Sequence, residues 1–403
     1  MKKININFFN DNIKEEYKKI FLLFILLNSI FIINIDSKIC IKRKKALSEG
    51  KKYIQKCFED ILLNNNSKAI TLAPKISIVI PVYNCQNIIK AVVRSIQNQN
   101  MSDLEIILVN DYSKDNTTKI IQELEAEDQR IKIINNEKRM ATLYSRNIGI
   151  LHSKGKYILN LDNDDLFMNA DLFDTIYNEA EINNFDLVGF SAVESNSYNF
   201  SVNTIEESIF HDHKDGLTVY QPELTYFAIS QNNKYNLNDV HIWGRLTRAD
   251  LYKNTINSLG KNAIGEKRNS CFVTWDEDDA MSMALYRYAK SYKFIKKYGI
   301  FHYLSDITSS ITSKDDLKRY GELFFLDIVF DFSLDNFEGK KYSVVMLREM
   351  IIKKIHNFYN EKNVKFLKAI LKKMLDSQYI SFADKEKITK YFNKIQSIKY
   401  QLD

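Results

Sequence analysis

Cysteine and glycine are both scarce in this chain of 403 residues. It has four cysteines, none of them in a C-x-x-C spacing, and this pattern predicts neither a zinc site nor a disulfide framework. Its 11 glycines include no G-x-G-x-x-G motif after the first apolar strand pattern. A Rossmann-type dehydrogenase would carry that motif there, so this class of enzyme is disfavoured.

Most of the chain has no net positive charge. The formal net charge is +6, yet residues 1–60 alone hold 13 Lys+Arg against 7 Asp+Glu, so the remainder is neutral. A nucleic-acid-binding domain usually carries a basic stripe on its folded surface. We therefore expect no nucleic-acid partner. The hydrophobic content of 45% is ordinary for a globular protein.

The chain also lacks a clear bilayer span, which needs about 20 apolar residues. The nearest candidate, residues 20–35, has no charged residue but is shorter. We favour an uncleaved membrane anchor, and a cleaved signal or a buried or surface helix remain alternatives. Basic residues at 42–45 would place the following chain in the cytoplasm. An enzyme of the secretory pathway would need the reverse, so the side of the membrane stays open.

From Pro74 onward, short apolar strands alternate with amphipathic helices. This alternation predicts an α/β fold with a parallel sheet covered by helices, and ligands are expected at the carboxyl ends of its strands. The predicted strands are 76–80, 104–109, 131–134, 157–161 and 187–190, and the predicted helices are 87–99, 115–128, 141–152 and 171–183. Order is less regular from 191 to 310, and beyond Thr312 the chain is predicted to be helical, with one helix over 364–378.

An acidic cluster follows the fourth strand, in the sequence Asp162-Asn163-Asp164-Asp165. Neighbouring carboxylates raise one another's pKa unless a cation offsets the repulsion. Asp162 and Asp164 stand two residues apart, so on an extended segment both face one side. Their hard oxygen ligands suit Mg²⁺ or Mn²⁺. The alternative is a solvated acidic turn.

Polar residues also end the first two strands. The first ends in Pro81-Val82-Tyr83-Asn84 and the second in Asn110-Asp111. A carboxylate at Asp111 could accept a hydrogen bond from an imide N–H such as uracil presents. Asp115, farther on, can equally well cap the helix that follows it.

Together these segments, with Tyr144-Ser145-Arg146-Asn147-Ile148-Gly149 between them, resemble the family 2 glycosyltransferases. The resemblance is close over 75–193 and looser to about 312. It implies a GT-A fold, a Rossmann-like mixed sheet with helices on both faces. It also implies inverting transfer of a sugar from a nucleotide diphosphate donor, most simply a UDP-sugar, to a carbohydrate, lipid or protein hydroxyl, with Mn²⁺ or Mg²⁺ as cofactor.

The same resemblance assigns roles on the donor side. Pro81, Tyr83 and Asn84 would lie beside the nucleotide, and Asp111 would read the base. Asp162 would face the ribose and diphosphate and, with Asp164, the metal. Arg146 would point toward the diphosphate, the alternative being a surface arginine.

On the acceptor side, Glu277-Asp278 resembles the family's acidic motif in which the aspartate is the catalytic base. Thr274-x-x-Glu277 is also a capping box, so these acids would favour a helix start in any protein. His241, Trp243 and Arg245 resemble the acceptor-lining segment, where an exposed Trp would suit a sugar ring. A core Trp is the alternative.

The segment Asn136–Met140 lacks the Gly-rich loop typical of the family. A non-catalytic nucleotide- or sugar-binding protein is therefore the second functional hypothesis.

The sequence predicts five regions along the chain. They are an N-terminal segment at 1–45, a helical stem at 46–74, a nucleotide-sugar half at 75–193, an acceptor half at 194–312 and C-terminal helices at 313–403. The apolar stripe of the stem is predicted to be Tyr53, Phe58, Ile61 and Leu62.

Overall fold

The computed structural model of the protein describes part of the chain. The described residues are 42–60, 62, 73–195, 208–210, 213–221, 224, 241–259, 277–303, 368, 371–372, 375–376 and 382–396. The apolar segment 20–35, the capping residue Thr274 and most of the predicted C-terminal helices lie outside them. The chain divides into two compact units, Met1–Lys52 and Tyr53–Asp403, and residues 42–52 of the first are helical.

In its described residues, the second unit has ten strands and, after residue 74, seven helices that are described over their whole length. In chain order they are β1 Ile76–Val82, α1 Ile89–Gln97, β2 Leu104–Asn110, α2 Thr117–Glu127, β3 Ile131–Asn135, α3 Thr142–His152, β4 Tyr157–Asn160, β5 Leu166–Phe167, α4 Leu172–Asn183, β6 Leu187–Ser195, β7 Ser208–Phe210, β8 Thr218–Tyr220, β9 Arg245–Arg248, α5 Ala249–Leu259, α6 Glu277–Tyr288, β10 Ser291–Tyr303 and α7 Phe382–Gln396. All nine elements predicted between residues 76 and 190 are confirmed. Their ends move by one or two residues, except that β6 continues to Ser195.

The strands form one mixed sheet in the order β3-β2-β1-β4-β9-β6-β10-β5, with β7 beside β6 and β8 beside β10. The first four are parallel, as predicted. β9 then inserts antiparallel to both β4 and β6. The fully buried pattern of β1 and β2 explains why their sequences are mostly apolar, because strands covered on both faces do not alternate.

Pro81 lies inside β1 rather than after it. β1 pairs with β2 as far as Val82, but with β4 only as far as Val79. On its β4 side, β1 is therefore not paired at Pro81, so a residue without a backbone N–H is tolerated there.

Helix α3 packs on β1 and β2 at Gly149. A Cβ added there would lie 2.5 Å from Val79 Cγ1 and 2.9 Å from Val109 Cγ2, so a glycine is needed for this close approach.

Residues 53–58 are helical and contact α1 through a different stripe from the predicted one. Tyr53, Ile54 and Cys57 are buried, whereas Phe58 is 39% exposed. The Tyr53 hydroxyl donates to the Ser95 carbonyl over 2.8 Å. Of the predicted stripe, Tyr53 is buried as expected, whereas Phe58 lies on the outer face and Ile61 lies outside the described residues.

α7 agrees with a helical C-terminal region, and the described residues of 364–378 are helical. In the described residues, no helix combines the length and the hydropathy needed to cross a bilayer.

Candidate active site

The carboxyl ends of β1, β2 and β4 lie side by side in the sheet, and the predicted polar clusters meet there. Asp111 is 4% exposed. Its Oδ1 accepts from Asn136 Nδ2 at 2.8 Å and from the Met140 N–H at 2.7 Å, and its Oδ2 accepts from the Ala141 N–H at 2.8 Å. A carboxylate offers about four acceptor positions, so about one remains for a nucleobase N–H.

Asn84 and Asp115 hold the loops after β1 and β2 together. Asn84 Oδ1 accepts from the Lys114 N–H at 2.8 Å. Asp115 accepts from the Thr117 N–H at 3.0 Å and from the Gln86 N–H at 3.3 Å. The structure therefore gives Asp115 the helix-start role, and Asn84 fixes the shape of the loop rim.

Tyr83 is half-buried at this rim. Its carbonyl accepts from Asn163 Nδ2 at 3.3 Å, which ties it to the acidic cluster. The Arg139 guanidinium carbon lies 4.2 Å from the centre of the Tyr83 ring, a cation–π contact.

The three carboxylates of the acidic cluster differ in environment. The Asp162 side chain is 30% exposed, Asp164 is half-buried and Asp165 is fully buried. Burial raises the pKa of Asp164 to about 8, and the charges of Asp165 and Asp162 add to the shift. A divalent cation beside Asp162 and Asp164 would oppose this shift, so the donor set suits a cation.

No group of three or more His, Cys, Asp or Glu side chains in the described part of the chain could enclose a metal ion by itself. Mg²⁺ is commonly held by one or two carboxylates together with substrate phosphates. Asp162 and Asp164 fit a metal site of that shared kind.

Arg146 is buried, with its side chain 2% exposed, and it joins two parts of the site. Nη2 donates to Asp162 Oδ1 over 2.6 Å, and Nη1 donates to Asp278 Oδ1 over 2.9 Å. Glu277 Oε1 lies 3.7 Å from the same Nη1. The predicted surface alternative for Arg146 does not agree with this burial. In the structure its partners are the carboxylates of Asp162, Asp278 and Glu277.

Glu277 and Asp278 begin α6, where the helix dipole favours acidic residues. Burial raises the pKa of Asp278 to about 6, while the Arg146 charge and a backbone hydrogen bond at Ile242 oppose the rise. Burial also raises the pKa of Glu277 to about 8, with the Asp278 charge adding to it. Burial thus raises the pKa of both carboxyls, and the Arg146 charge opposes the rise in each.

Trp243 is 1% exposed, in agreement with the core alternative. Its ring centre lies 4.7 Å from that of His241 and 5.0 Å from that of His302. The structure does not show an open sugar platform at Trp243, because the side chain is buried.

His302 is a site residue that the sequence did not suggest. Its Nδ1 lies 2.9 Å from Asp165 Oδ1, which also accepts from the Tyr303 N–H at 3.1 Å. Burial lowers the pKa of His302, but the charge of Asp165 and its hydrogen bond outweigh burial and raise that pKa to about 9. Its partner is 137 residues away in sequence, and no local pattern links them.

The sequence of residues 77–255 matches the family model of glycosyl transferase family 2. Among curated relatives, the chain is 36% identical over 118 residues to the uncharacterized glycosyltransferase EpsJ of Bacillus subtilis, covering 29% of this chain and 34% of the relative. It is 35% identical over 100 residues to the GalNAc(5)-diNAcBac-PP-undecaprenol beta-1,3-glucosyltransferase of Campylobacter jejuni, covering 25% of this chain and 32% of the relative. The matched part thus spans about a third of each relative.

Among solved structures, S. aureus TarS 1–349 in complex with UDP-GlcNAc aligns with a TM-score of 0.54 and 14% identity, covering 82% of this chain and 94% of that one. At this identity the likeness concerns the fold alone. With the mixed sheet described above, it agrees with the predicted GT-A fold.

Proposed function

Because this chain belongs to glycosyl transferase family 2 through residues 77–255, we propose that it transfers a sugar from a nucleotide diphosphate, most simply a UDP-sugar, to an acceptor hydroxyl. The observation that carries the proposal is the Arg146 fork, which holds Asp162 and Asp278 on one guanidinium. A carboxylate suited to the donor and a carboxylate suited to proton removal are thereby fixed beside each other.

Asp278 is the proposed base. Its carboxylate takes the proton of the acceptor hydroxyl while that oxygen forms the new bond to the anomeric carbon, and the bond to the departing nucleoside diphosphate breaks on the opposite face. The configuration at the anomeric carbon is inverted. Arg146 and the Ile242 backbone lower the pKa of Asp278 and so favour the ionised form that this role requires.

Asp162 and Asp164 are proposed to face the diphosphate and to hold Mn²⁺ or Mg²⁺ with it. The cation, when bound, supplies positive charge for the leaving diphosphate. Asp162 is oriented by Arg146. Asn163 links the same turn to Tyr83, which places the acidic cluster against the nucleotide side.

Tyr83 and Asp111 are proposed to contact the nucleoside, Asp111 through its remaining acceptor position. Trp243 is proposed to support the acceptor side from within the core, through His302 and Asp165, instead of as an exposed platform. The predicted attachment to a membrane through 20–35 stays a prediction.

A panel of nucleotide sugars, each incubated with Mn²⁺, tests the proposal by the release of free nucleotide. We expect release from at least one UDP-sugar and loss of it when the metal is chelated. A folded wild-type protein that neither binds UDP nor releases nucleotide from any donor would contradict the proposal.

A non-catalytic nucleotide-binding protein is the second candidate. The observation that favours it is the segment Asn136–Met140, which lacks the Gly-rich loop typical of the family and places Arg139 against the Tyr83 ring. UDP binding without turnover of any donor would support this candidate over the first.

A further inference from the structure

Ala141, which precedes α3, has a backbone conformation that only glycine adopts readily. Its φ is 72° and its ψ is 175°. Residues with a Cβ are strained in this region, and such strain persists only where the surrounding structure enforces it. Ala141 is 3% exposed, so its surroundings must supply the constraint.

The constraint is the Asp111 carboxylate. It accepts the N–H groups of both Met140 and Ala141, and so fixes the peptide planes on each side of Met140. The peptide plane that follows Ala141 is held by its carbonyl, which accepts from the Ser145 N–H. It also accepts from the Asn136 side chain at 2.8 Å. Asn136 donates in addition to Ser145 Oγ on α3 at 3.0 Å, so both ends of the segment 136–141 are fastened.

This segment positions two contacts of the proposed site. Arg139 lies in it and covers the Tyr83 ring. The Ala141 carbonyl accepts from the Ser145 N–H at 3.1 Å in the first turn of α3. Arg146 is the next residue along that helix. The conformation of Ala141 therefore helps to set the position of the Arg146 guanidinium.

We propose that Asp111 is a positioning residue that clamps 136–141 in its strained form and thereby sets the start of α3 and the placement of Arg139. The inference rests on the proposed function for its consequence, since the clamped segment borders the nucleotide site. Asp111 acts through Ala141 and α3, in addition to any contact with a base.

Asp111→Asn and Ala141→Gly, alone and combined, test the clamp. Asn presents a donor where the carboxylate accepts, so at least one of the three bonds is lost. Lys138 and Arg139 are exposed, and trypsin cleaves after each when the segment opens. We expect Asp111→Asn to speed cleavage at these two sites about tenfold, because proteolysis follows the population of the open form.

The combined variant distinguishes clamping from base contact. Glycine adopts the Ala141 conformation without strain and is tolerated at a helix N-cap. Ala141→Gly should therefore restore most of the protection that Asp111→Asn loses, together with the part of the UDP affinity that the clamp supplies. If cleavage after Lys138 and Arg139 does not change in Asp111→Asn, or stays fast in the combined variant, the clamp is wrong. If protection returns but no UDP affinity does, the affinity loss belongs to the base contact and the positioning role is wrong.

Asp103→Asn is the matched control. It is the same substitution near the opposite end of β2, where Asp103 makes a surface ion pair of 3.3 Å with Lys75. It should leave cleavage and UDP affinity unchanged. If the wild type binds no UDP, the proposed function fails, while the cleavage rates and melting temperatures of the same variants still decide whether the clamp exists.

Discussion

Arg146 donates a hydrogen bond of 2.9 Å to Asp278, a carboxylate that lies 132 residues later in the chain. The bond connects α3, which is packed on the parallel half of the sheet, to the start of α6, which follows the antiparallel insertion. Since Asp162 shares the same guanidinium, the donor and acceptor sides of the proposed site have one common anchor.

Asp278→Asn is predicted to abolish transfer while leaving UDP binding in the presence of Mn²⁺ close to that of the wild type. Asparagine keeps the size of the side chain but cannot take the proton of the acceptor hydroxyl. Calorimetry with UDP and an assay of nucleotide release measure the two properties. Asp279→Asn, the next residue along α6, is the control and should retain transfer. Wild-type turnover in Asp278→Asn would remove this residue as the base.

The transfer rate is predicted to fall as the pH is lowered through about 6. Burial raises the pKa of Asp278 to about 6, and only the deprotonated carboxylate accepts a proton. Arg146 opposes that rise, so Arg146→Lys, which keeps the charge but loses the fork, should move the acid limb of the pH profile upward. The dependence of kcat on pH, measured from pH 5 to 9 for the wild type and for Arg146→Lys, gives the position of the acid limb in each. An acid limb that is identical in the variant would contradict the role given to Arg146.

Arg146→Met is predicted to destabilise the fold by about 3–5 kcal/mol, because removal of one partner leaves buried charges uncompensated. Asp162, Glu277 and Asp278 would all lose their shared cation. Urea unfolding at pH 7 measures the change. In the Asp278→Asn background the loss should be smaller, since one of the stranded charges is gone. Equal losses in both backgrounds would show that Arg146 and Asp278 are energetically independent.

Chelation of divalent metal is predicted to weaken UDP binding, and Asp164→Asn should reduce the gain in UDP affinity that Mn²⁺ provides by about 10- to 100-fold. The reason is that Asp162 and Asp164 are the only proposed protein ligands, so either one is a large part of the site. Asp171→Asn, which loses a surface ion pair of 2.7 Å with Lys297, is the control. UDP affinity that does not depend on Mn²⁺ in the wild type would contradict the metal site.

The parallel half of the sheet could be predicted closely from the sequence. Strands such as Ile76–Val82 and Leu104–Asn110 are buried on every residue, and each is followed by a helix with a visible apolar face. The polar residues after them were recognised for the same reason, because strand ends mark where ligands bind in such sheets.

The second half was harder because its contacts join distant segments. β9 is only four residues long with arginine at both ends, so it has no apolar run to reveal it. The partnership of His302 with Asp165 and the burial of Trp243 depend on β10 lying beside β5 and β6. Asp111 was recognised as important, but its three loop bonds could not be foreseen, because they depend on the unusual conformation of Ala141.

Asp60 links the residues before Pro74 to helix α1 of the folded domain. It forms ion pairs with Arg94, which is 4% exposed, and with Lys90 at 2.6 Å, both on α1. A polypeptide that started at Pro74, where the sequence changes pattern, would leave the Arg94 charge buried beside Glu127 alone and would uncover the α1 surface that Tyr53 and Cys57 contact. The change in sequence pattern at Pro74 therefore does not mark the start of the cooperative folding unit. The residues from Tyr53 to Asp60 should unfold and refold together with the sheet.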